Sequence, residues 1–325
     1  MEYVNFGRVG VKVSRLALGL GLRGQADEAA AQRLVEYAIE QGVNLIDCAN
    51  VYGPMDDRAN IGRSEVIVGR AIKGKRDHVV ITSKVASPIG AGPNDRGLSR
   101  YHILREIDNT LRRLQTDHVD VYLVHRYDET TPLEETVRAL DDVVRSGKAR
   151  YVGCCNYAAW QVCRALWLAD VHNAHPFIAV QNPYSLLNRR LEDEMFGLAR
   201  DQGLGVMAYS PLAVGLLSGA YQPGQPPPAG TLWATRRRDQ FERTMHGAVG
   251  EVVRAVQQHA EELGKTPAQL ASAWVLSHPE VTCAISGADT IEQFADVLGG
   301  ASWELPGEVR QHLDDVSAAV SMTLD

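Results

Sequence analysis

The sequence has little of what membrane proteins and nucleic-acid-binding proteins need. No apolar run reaches the roughly 18 residues that a transmembrane helix requires. The N-terminus, from Met1 to Gly10, has no charged segment leading into an apolar one, which argues against a signal peptide. Basic residues form no long run, and the formal net charge is −7, so the electrostatic footprint for nucleic acid is missing. We therefore expect neither a membrane nor a nucleic acid among the partners.

Cysteine is also sparse, with five residues in a chain of 325. An odd number without the spacing of a zinc site suits free thiols in a reducing cytoplasm and predicts no bound metal. Cys154 and Cys155 are adjacent, which is poor geometry for a shared metal ion. We expect buried thiols that behave as small hydrophobic residues, in a cytoplasmic protein.

Short apolar runs alternate with longer amphipathic segments almost to the end of the chain. The short runs predict eight strands, and the longer segments predict helices between them. The predicted strands cover residues 16–19, 43–47, 78–85, 119–124, a fifth beginning at 151–152, 177–181, 205–209 and 281–286. The predicted helices cover residues 27–41, 64–72, 99–114, 132–146, 157–169, 191–202 and 290–298.

Eight strand–helix units predict an α/β fold of one domain over residues 1–325, a (β/α)8 TIM barrel. Strands that alternate with helices imply right-handed crossovers and a parallel sheet, and eight of them at this length suggest closure. Residues 3–6 and 11–14 flank two glycines before the first unit. They predict a β-hairpin that caps the N-terminal end of the barrel.

The segment after the seventh strand departs from this repetition. It runs from Leu212 to about Thr266, far longer than the usual connection of about 2–6 residues, and residues 249–263 predict an extra helix within it. Long loops at the C-terminal face of a barrel shape its ligand site. The arginines at 236–238 are either a solvated surface turn or a source of positive charge for a bound phosphate. Residues 306–320 predict a terminal outer helix.

Ionisable side chains collect where the predicted strands end, which is where barrels carry their catalytic groups. Asp47 ends the second strand, Tyr52 follows in its loop, Lys84 is near the end of the third strand, and His125 ends the fourth. A tyrosine has an ordinary pKa near 10, and a neighbouring ammonium lowers it. Asp47 would hold Lys84, His125 would orient the substrate oxygen, and Tyr52 would protonate that oxygen as hydride reaches its carbon.

These residues stand in motifs that resemble the aldo-keto reductase family. The resemblance covers essentially the whole chain in the family's order, with motifs at residues 47–53, 62–69, 81–85, 120–125, 153–156, 180–182 and 208–213. It implies that Asp47, Tyr52, Lys84 and His125 form the catalytic tetrad. We refer to these four residues as the tetrad.

The resemblance also implies the residues that hold a nicotinamide cofactor. Asn156 and Gln181 should hold the carboxamide, and Tyr209 should stack on the nicotinamide ring. The loop with Ser210, Leu212 and Gly215 should follow the pyrophosphate. The segment with Ser286, Gly287, Asp289 and Gln293 should contact the adenosine phosphate.

Several positions depart from the family pattern. Cys155 stands where a serine or threonine often precedes the amide-binding asparagine, and Val297 replaces a later asparagine. Asp289 and Gln293 stand where members that prefer NADP often have arginine or lysine. A carboxylate there would repel a 2′-phosphate and could accept a hydrogen bond from the free 2′-hydroxyl of NAD. The family favours NADP(H), so we expect NADP with NAD as the alternative.

The leading hypothesis is an NAD(P)-dependent carbonyl reductase or alcohol dehydrogenase, monomeric or homo-oligomeric, acting on an aldehyde, a keto-sugar or a sugar lactol. Leu20, Tyr127 and Trp233 are expected at its substrate mouth. A second hypothesis is a non-catalytic partner protein that senses the cofactor, like the channel-associated β subunits of this family. A third is a hydrolase using Asp47 and another carboxylate, which leaves Lys84 and Tyr52 without roles.

Overall fold

A closed barrel of parallel strands forms the centre of the computed structural model, which describes residues 1–22, 24–54 and 57–322. After a short hairpin, the barrel strands follow one another around the ring in chain order, and the last closes onto the first. They are β3 (Leu16–Gly19), β4 (Leu45–Asp47), β5 (Val80–Val85), β6 (Val119–Val124), β7 (Ala149–Cys155), β8 (Phe177–Pro183), β9 (Gly205–Tyr209) and β10 (Val281–Ser286). The prediction of an eight-stranded α/β barrel is confirmed.

Helices surround the barrel and join its strands. They are α1 (Glu28–Glu40), α2 (Arg63–Ala71), α3 (Arg100–Leu114), α4 (Leu133–Arg145), α5 (Ala159–Val171), α6 (Met195–Gln202), α7 (Leu232–Thr235), α8 (Arg238–Thr244), α9 (Ala248–Glu262), α10 (Pro267–Leu276), α11 (Ile291–Gly300) and α12 (Gly307–Ser317). Capping explains several of their starts. The side chain of Asp27 accepts hydrogen bonds from the first turn of α1, and Ser99 and Thr266 do the same for α3 and α10.

The N-terminal hairpin closes one end of the barrel. Strands β1 (Tyr3–Asn5) and β2 (Lys12–Ser14) pair antiparallel, and Phe6 between them is fully buried among the inward-facing residues of the barrel. A Cβ added to Gly205 would lie 2.5 Å from the Phe6 ring, so the strand approaches this ring as closely as glycine allows. The amide of Arg8 donates to the carbonyl of Gly203 across 2.7 Å. The predicted cap is confirmed.

Aromatic side chains of the long segment between β9 and α10 pack on one another within the main hydrophobic core. Trp233 is fully buried, its indole N–H donates to the carbonyl of Val214 across 2.9 Å, and its ring centroid lies 6.1 Å from that of Phe241. The predicted extra helix is present as α9. The arginines at 236–238 do not form one turn, because Arg236 caps the end of α7 and Arg238 begins α8.

The cysteines divide into two groups. Cys48, Cys154, Cys155 and Cys283 are buried and free, as expected, whereas Cys163 lies exposed on α5, so the expectation of a buried thiol is wrong there.

No helix in the described part of the chain is long and apolar enough to span a membrane.

Candidate active site

Adjacent strands β4 and β5 bring Asp47 and Lys84 into an ion pair. The Lys84 Nζ lies 2.6 Å from Asp47 Oδ2 and 3.0 Å from the carbonyl oxygen of Cys48, and the lysine side chain is fully buried. Burial alone would lower the pKa of Lys84, but the Asp47 carboxylate outweighs it and raises that pKa above its ordinary value. Lys84 is therefore a permanent ammonium ion at neutral pH.

Tyr52 and His125 meet directly above this ion pair. The Tyr52 hydroxyl lies 3.1 Å from Nε2 of His125, and the two rings meet edge to face with centroids 5.4 Å apart. The Lys84 Nζ lies 4.7 Å from the centroid of the Tyr52 ring. Both rings are only half-buried, so a ligand can reach them. The structure thus brings together all four residues of the tetrad.

The start of α2 holds the loop that carries Tyr52. The backbone N–H of Ser64 donates to the Tyr52 carbonyl across 3.1 Å, and its hydroxyl donates to the Ala49 carbonyl across 3.0 Å. A side chain on Gly53 would overlap the carbonyl of Asn60, so only glycine can follow Tyr52 here. The motif at residues 62–69 therefore has a clear part in the site, which the sequence alone did not reveal.

A buried polar network lies behind the tetrad, and sequence reasoning missed it. Asn50, in the Tyr52 loop, donates to Glu106 across 3.0 Å, and Ser83, beside Lys84, donates to Glu65 across 2.5 Å. Arg113 bonds Glu65 and lies 3.5 Å from Glu106, so one guanidinium contacts both carboxylates. Both carboxylates are fully buried. This network ties α2 and α3 to the segments on either side of the ion pair.

Ser87 and Arg126 are the neighbours of the second ring nitrogen of His125. The Ser87 hydroxyl lies 3.4 Å from Nδ1, and Arg126 donates to that hydroxyl across 3.4 Å. Arginine can only donate, so the hydroxyl accepts from it and can donate to Nδ1. This pattern favours the tautomer with its proton on Nε2, the nitrogen that faces Tyr52.

Two of the expected cofactor residues lie beside the tetrad. Asn156 is exposed and has a left-handed backbone with φ of 58°. Its amide donates to the carbonyl of His125 across 2.9 Å and accepts from the Tyr209 hydroxyl across 2.8 Å. Ser210, Leu212 and Gly215 follow Tyr209 and are all half-buried. Asn156 and Tyr209 thus lie at the rim beside His125, and residues 210–215 follow Tyr209 along the chain.

Gln181 does not present its amide to this rim. The side chain is almost wholly buried, and its Nε2 donates to Asp47 Oδ1 across 2.8 Å. Its Oε1 lies 3.7 Å from the thiol of Cys155. The amide predicted to hold a nicotinamide carboxamide is thus bonded to the tetrad itself.

The segment after β10 contacts the first βα loop. The Gly24 amide donates to the Asp289 carboxylate across 3.3 Å, and the Gln25 side chain donates to the Asp289 carbonyl across 2.9 Å. Burial raises the pKa of the Asp289 carboxyl, which the Gly24 N–H opposes. Gln293 accepts from the Asp289 amide, Ser286 is buried, and Gly287 is exposed.

The three residues expected at the substrate mouth differ in what they offer a ligand. Tyr127 is half-buried, and its ring contacts those of Tyr157 and Trp160, with centroids 5.3 Å and 6.0 Å away. Leu20 follows β3 and is fully buried, so it offers a ligand no exposed surface. Trp233 has no exposed surface and packs inside the long segment. The expectation that Trp233 contacts substrate therefore needs correction. Its indole N–H is bonded to the Val214 carbonyl, and its ring packs against Phe241.

The surroundings of Asp47 do not favour hydrolysis by paired carboxylates. Its partners are Lys84, Thr82 and Gln181, none of which is an acid.

Across residues 1–22, 24–54 and 57–322, no cluster of three or more His, Cys, Asp or Glu could hold a metal ion.

A model described as "Aldo/keto reductase family" matches residues 15–318. The chain is 40% identical over 324 residues to "Uncharacterized oxidoreductase YrpG" of Bacillus subtilis (strain 168), an alignment covering 97% of this chain and 96% of that protein.

Two plant proteins carry a different description. The chain is 37% identical over 302 residues to a "Probable voltage-gated potassium channel subunit beta" of Arabidopsis thaliana and to one of Oryza sativa subsp. japonica. Each alignment covers 91% of this chain and 90% of the relative.

Proposed function

Because the chain belongs to the aldo/keto reductase family, whose members use nicotinamide cofactors to oxidise and reduce carbonyl compounds, we propose that it is an NAD(P)-dependent reductase or dehydrogenase with Tyr52 as its general acid and base. The observation that carries the proposal is the grouping of the tetrad. The Tyr52 hydroxyl is 3.1 Å from Nε2 of His125, and the Nζ of Lys84, which is paired with Asp47, is 4.7 Å from the centroid of the Tyr52 ring. An ion pair with a purely structural role at the barrel rim would not need a phenol and an imidazole beside it.

Each residue of the tetrad has a defined part in carbonyl reduction. His125, with its proton on Nε2, donates a hydrogen bond to the substrate oxygen and orients it. The Lys84 ammonium stabilises the phenolate that remains when Tyr52 gives its proton to that oxygen. Asp47 holds Lys84 in place. In alcohol oxidation the same proton returns to Tyr52.

The chain's exposed residues are suited to a nicotinamide cofactor, which supplies the hydride in this family. Asn156 has an exposed amide beside the tetrad, and Tyr209 offers a half-buried ring for a flat ligand. An added Cβ on Gly287 would meet no atom within 4 Å, so open space follows β10 where a phosphate could approach the backbone. These residues and the 210–215 loop would hold the cofactor.

We propose NADP(H) as the cofactor, with weak discrimination against NAD(H). The family precedent supports NADP(H), whereas the Asp289 carboxylate opposes a 2′-phosphate. The paired Arg238 is a poor source of compensating charge, because it lies 3.4 Å from Glu242 on α8.

We propose an aldehyde, a keto-sugar or a sugar lactol as the substrate. The half-buried aromatic rings of Tyr52 and Tyr127 beside exposed polar groups support a small ligand of mixed polarity. Asp95, in the third βα loop, is already bonded within the protein. Its carboxylate accepts from the Gly92 amide and from Arg105.

The second candidate function is a cofactor-sensing partner of another protein. It is favoured by the 37% identity to two plant proteins described as channel β subunits. The two candidates share cofactor binding and differ in turnover, so turnover decides between them.

The first experiment replaces Tyr52 by phenylalanine. Purified protein is screened for NADPH oxidation with aldehydes and for NADP⁺ reduction with sugars and alcohols, and cofactor binding is followed by fluorescence. We expect Tyr52→Phe to lose turnover by roughly a thousandfold or more, as removal of a general acid does, while it still binds NADPH. Normal turnover in this variant would refute the assignment of Tyr52. Cofactor binding without turnover of any substrate by the unmodified chain would favour the sensing role.

A further inference from the structure

We propose that Gln181 is a positioning residue that holds the Asp47 carboxylate from the opposite wall of the barrel and thereby makes Tyr52 more acidic. The inference rests on the proposed function, because it concerns how the acid of that reaction is prepared. It differs from the expectation that Gln181 serves only as a contact for the cofactor.

The bond between Gln181 and Asp47 crosses the barrel. Asp47 is in β4 and Gln181 in β8, which stand opposite each other in the ring of eight strands. Their side chains meet at 2.8 Å, and each residue is 3% exposed. A buried hydrogen bond to a charged group is among the stronger ones in proteins. The bond therefore fixes where the carboxylate stands between the two walls.

Within the described part of the chain, three donors surround the two oxygens of the Asp47 carboxylate. Lys84 donates to Oδ2 across 2.6 Å, while Thr82 and Gln181 donate to Oδ1 across 2.5 Å and 2.8 Å. Oδ1 thus receives only neutral donors, and Oδ2 receives the cation. Every one of these donors comes from a barrel strand and none from a loop.

The orientation of the Gln181 amide follows from its two neighbours. A carboxylate can only accept, so the NH2 group of the amide must face Asp47. Its oxygen faces the Cys155 thiol at 3.7 Å. Burial raises the pKa of Cys155, so this thiol stays protonated and donates. Cys155, at the position where the family often has serine or threonine, therefore helps to keep the amide turned toward Asp47.

The neutral donors on Oδ1 affect the phenol through the lysine. They stabilise negative charge on Oδ1 and so leave less of it to neutralise Lys84. More of the ammonium charge then acts on Tyr52, whose ring centroid is 4.7 Å from Nζ. Without a donor on Oδ1, Lys84 is more fully neutralised, and the phenol becomes a weaker acid.

Thr82 separates this role from cofactor binding. Its hydroxyl donates to the same carboxylate oxygen as Gln181, but it comes from β5 and is fully buried. Gln181→Met and Thr82→Val each remove one donor with little change of shape. If Gln181 acts through Asp47, the two variants must change Tyr52 in the same direction. If Gln181 only holds a cofactor, Gln181→Met leaves the pKa of Tyr52 unchanged, whereas Thr82→Val still changes it.

The decisive measurement needs neither cofactor nor turnover. Tyrosines carrying ¹³C at the hydroxyl-bearing ring carbon are titrated by NMR, and the Tyr52 signal is assigned with Tyr52→Phe. We expect the titration midpoint of Tyr52 to rise by about one pH unit in both variants, the size of a modest change in a neighbouring charge. Asn182→Ala is the control, because Asn182 is on the same strand and bonds the Tyr157 carbonyl instead. It should leave the midpoint unchanged.

A kinetic measurement follows from the same variants. We expect kcat to fall about tenfold in both, a loss of about 1.4 kcal/mol in transition-state stabilisation, and the pH profile to move in step with the NMR midpoint. An unchanged Tyr52 midpoint in Gln181→Met, or a change that Thr82→Val does not share, would overturn the proposal. If the unmodified chain turns over no substrate, the proposed reaction fails, yet the NMR comparison still decides the role of Gln181.

Discussion

At the scale of the residue, the carboxylate of Asp289 bears on the preference for NADP or NAD. NADP differs from NAD by a single phosphate, and the Asp289 carboxyl lies half-buried at the loop where that phosphate is expected. Its contact with the Gly24 amide holds it across the first βα loop. Because its surroundings are only partly hydrated, its charge is weakly screened by solvent.

We predict that Asp289→Asn strengthens NADPH binding about tenfold and leaves NADH binding nearly unchanged, since a repulsion of about 1.4 kcal/mol is reasonable for charges near a protein surface. The amide keeps the shape and can still accept from Gly24. Fluorescence titrations with both cofactors at slightly alkaline pH measure the effect. Equal changes in the two affinities would mean that Asp289 is far from the 2′-phosphate.

The individual site residues were predictable to different degrees. Asp47, Lys84 and His125 could be found because parallel strands end at one rim, and Tyr52 because its motif follows β4 directly. The partner of Gln181 could not be found, because spacing along the chain does not reveal which side chains meet across a barrel. Trp233 was misjudged for a related reason: a large aromatic residue in a loop can fill a small core as readily as it can face a ligand.

At the scale of the element, α2 has two duties. It packs against the barrel through Ile67 and Val68, and its first turn holds the loop of Tyr52 through Ser64. The hydroxyl of Ser64 is fully buried, so water cannot replace its bond to Ala49. The position of Tyr52 thus depends on where α2 begins.

We predict that Ser64→Ala lowers kcat about tenfold without changing the affinity for NADPH, because a small displacement of a reacting group is costly. Ser317→Ala is a matched control: Ser317 is also fully buried and donates to a backbone carbonyl, that of Leu313, but on α12. Steady-state kinetics and cofactor titration of both variants test this. A similar fall in kcat for Ser317→Ala would mean that the effect is one of general stability.

Most elements could be predicted, and the exceptions have a common cause. The long amphipathic helices and the β-branched strands have strong periodicity, and polar caps such as Asp27 and Ser99 indicate where helices start. The short helices α7 and α8 were missed because four and seven residues are too few to show a period. They form because Trp233 and Phe241 bury each other, which is a tertiary effect.

At the scale of the whole molecule, buried histidines make stability depend on pH. His278 packs among Trp274 and Tyr184, and burial, followed by the nearby Arg310, lowers its pKa below 6.5. Burial lowers the pKa of His102 as well. Above pH 6.5 both are neutral in the folded and unfolded chain alike. Below it the unfolded chain binds more protons, so the free energy of unfolding falls.

We predict that the free energy of unfolding is lower near pH 5.5 than near pH 7.5, because each of these histidines binds more protons in the unfolded chain. Urea unfolding at the two pH values measures the difference. His278→Asn keeps a donor for the Trp274 carbonyl but cannot be protonated, so its loss on acidification should be smaller. If the free energy of unfolding of His278→Asn falls on acidification as much as that of the unmodified chain, His278 does not contribute to the pH dependence of stability.

The aromatic packing within the segment between β9 and α10 has a consequence for how this chain can diversify. Its aromatic residues pack against one another, while the donors to the Asp47 carboxylate among the described residues all belong to the barrel wall. An insertion or exchange in that segment can thus be accommodated without moving the groups that hold this carboxylate. Evolution can therefore lengthen or replace such a segment without rebuilding the barrel that carries it.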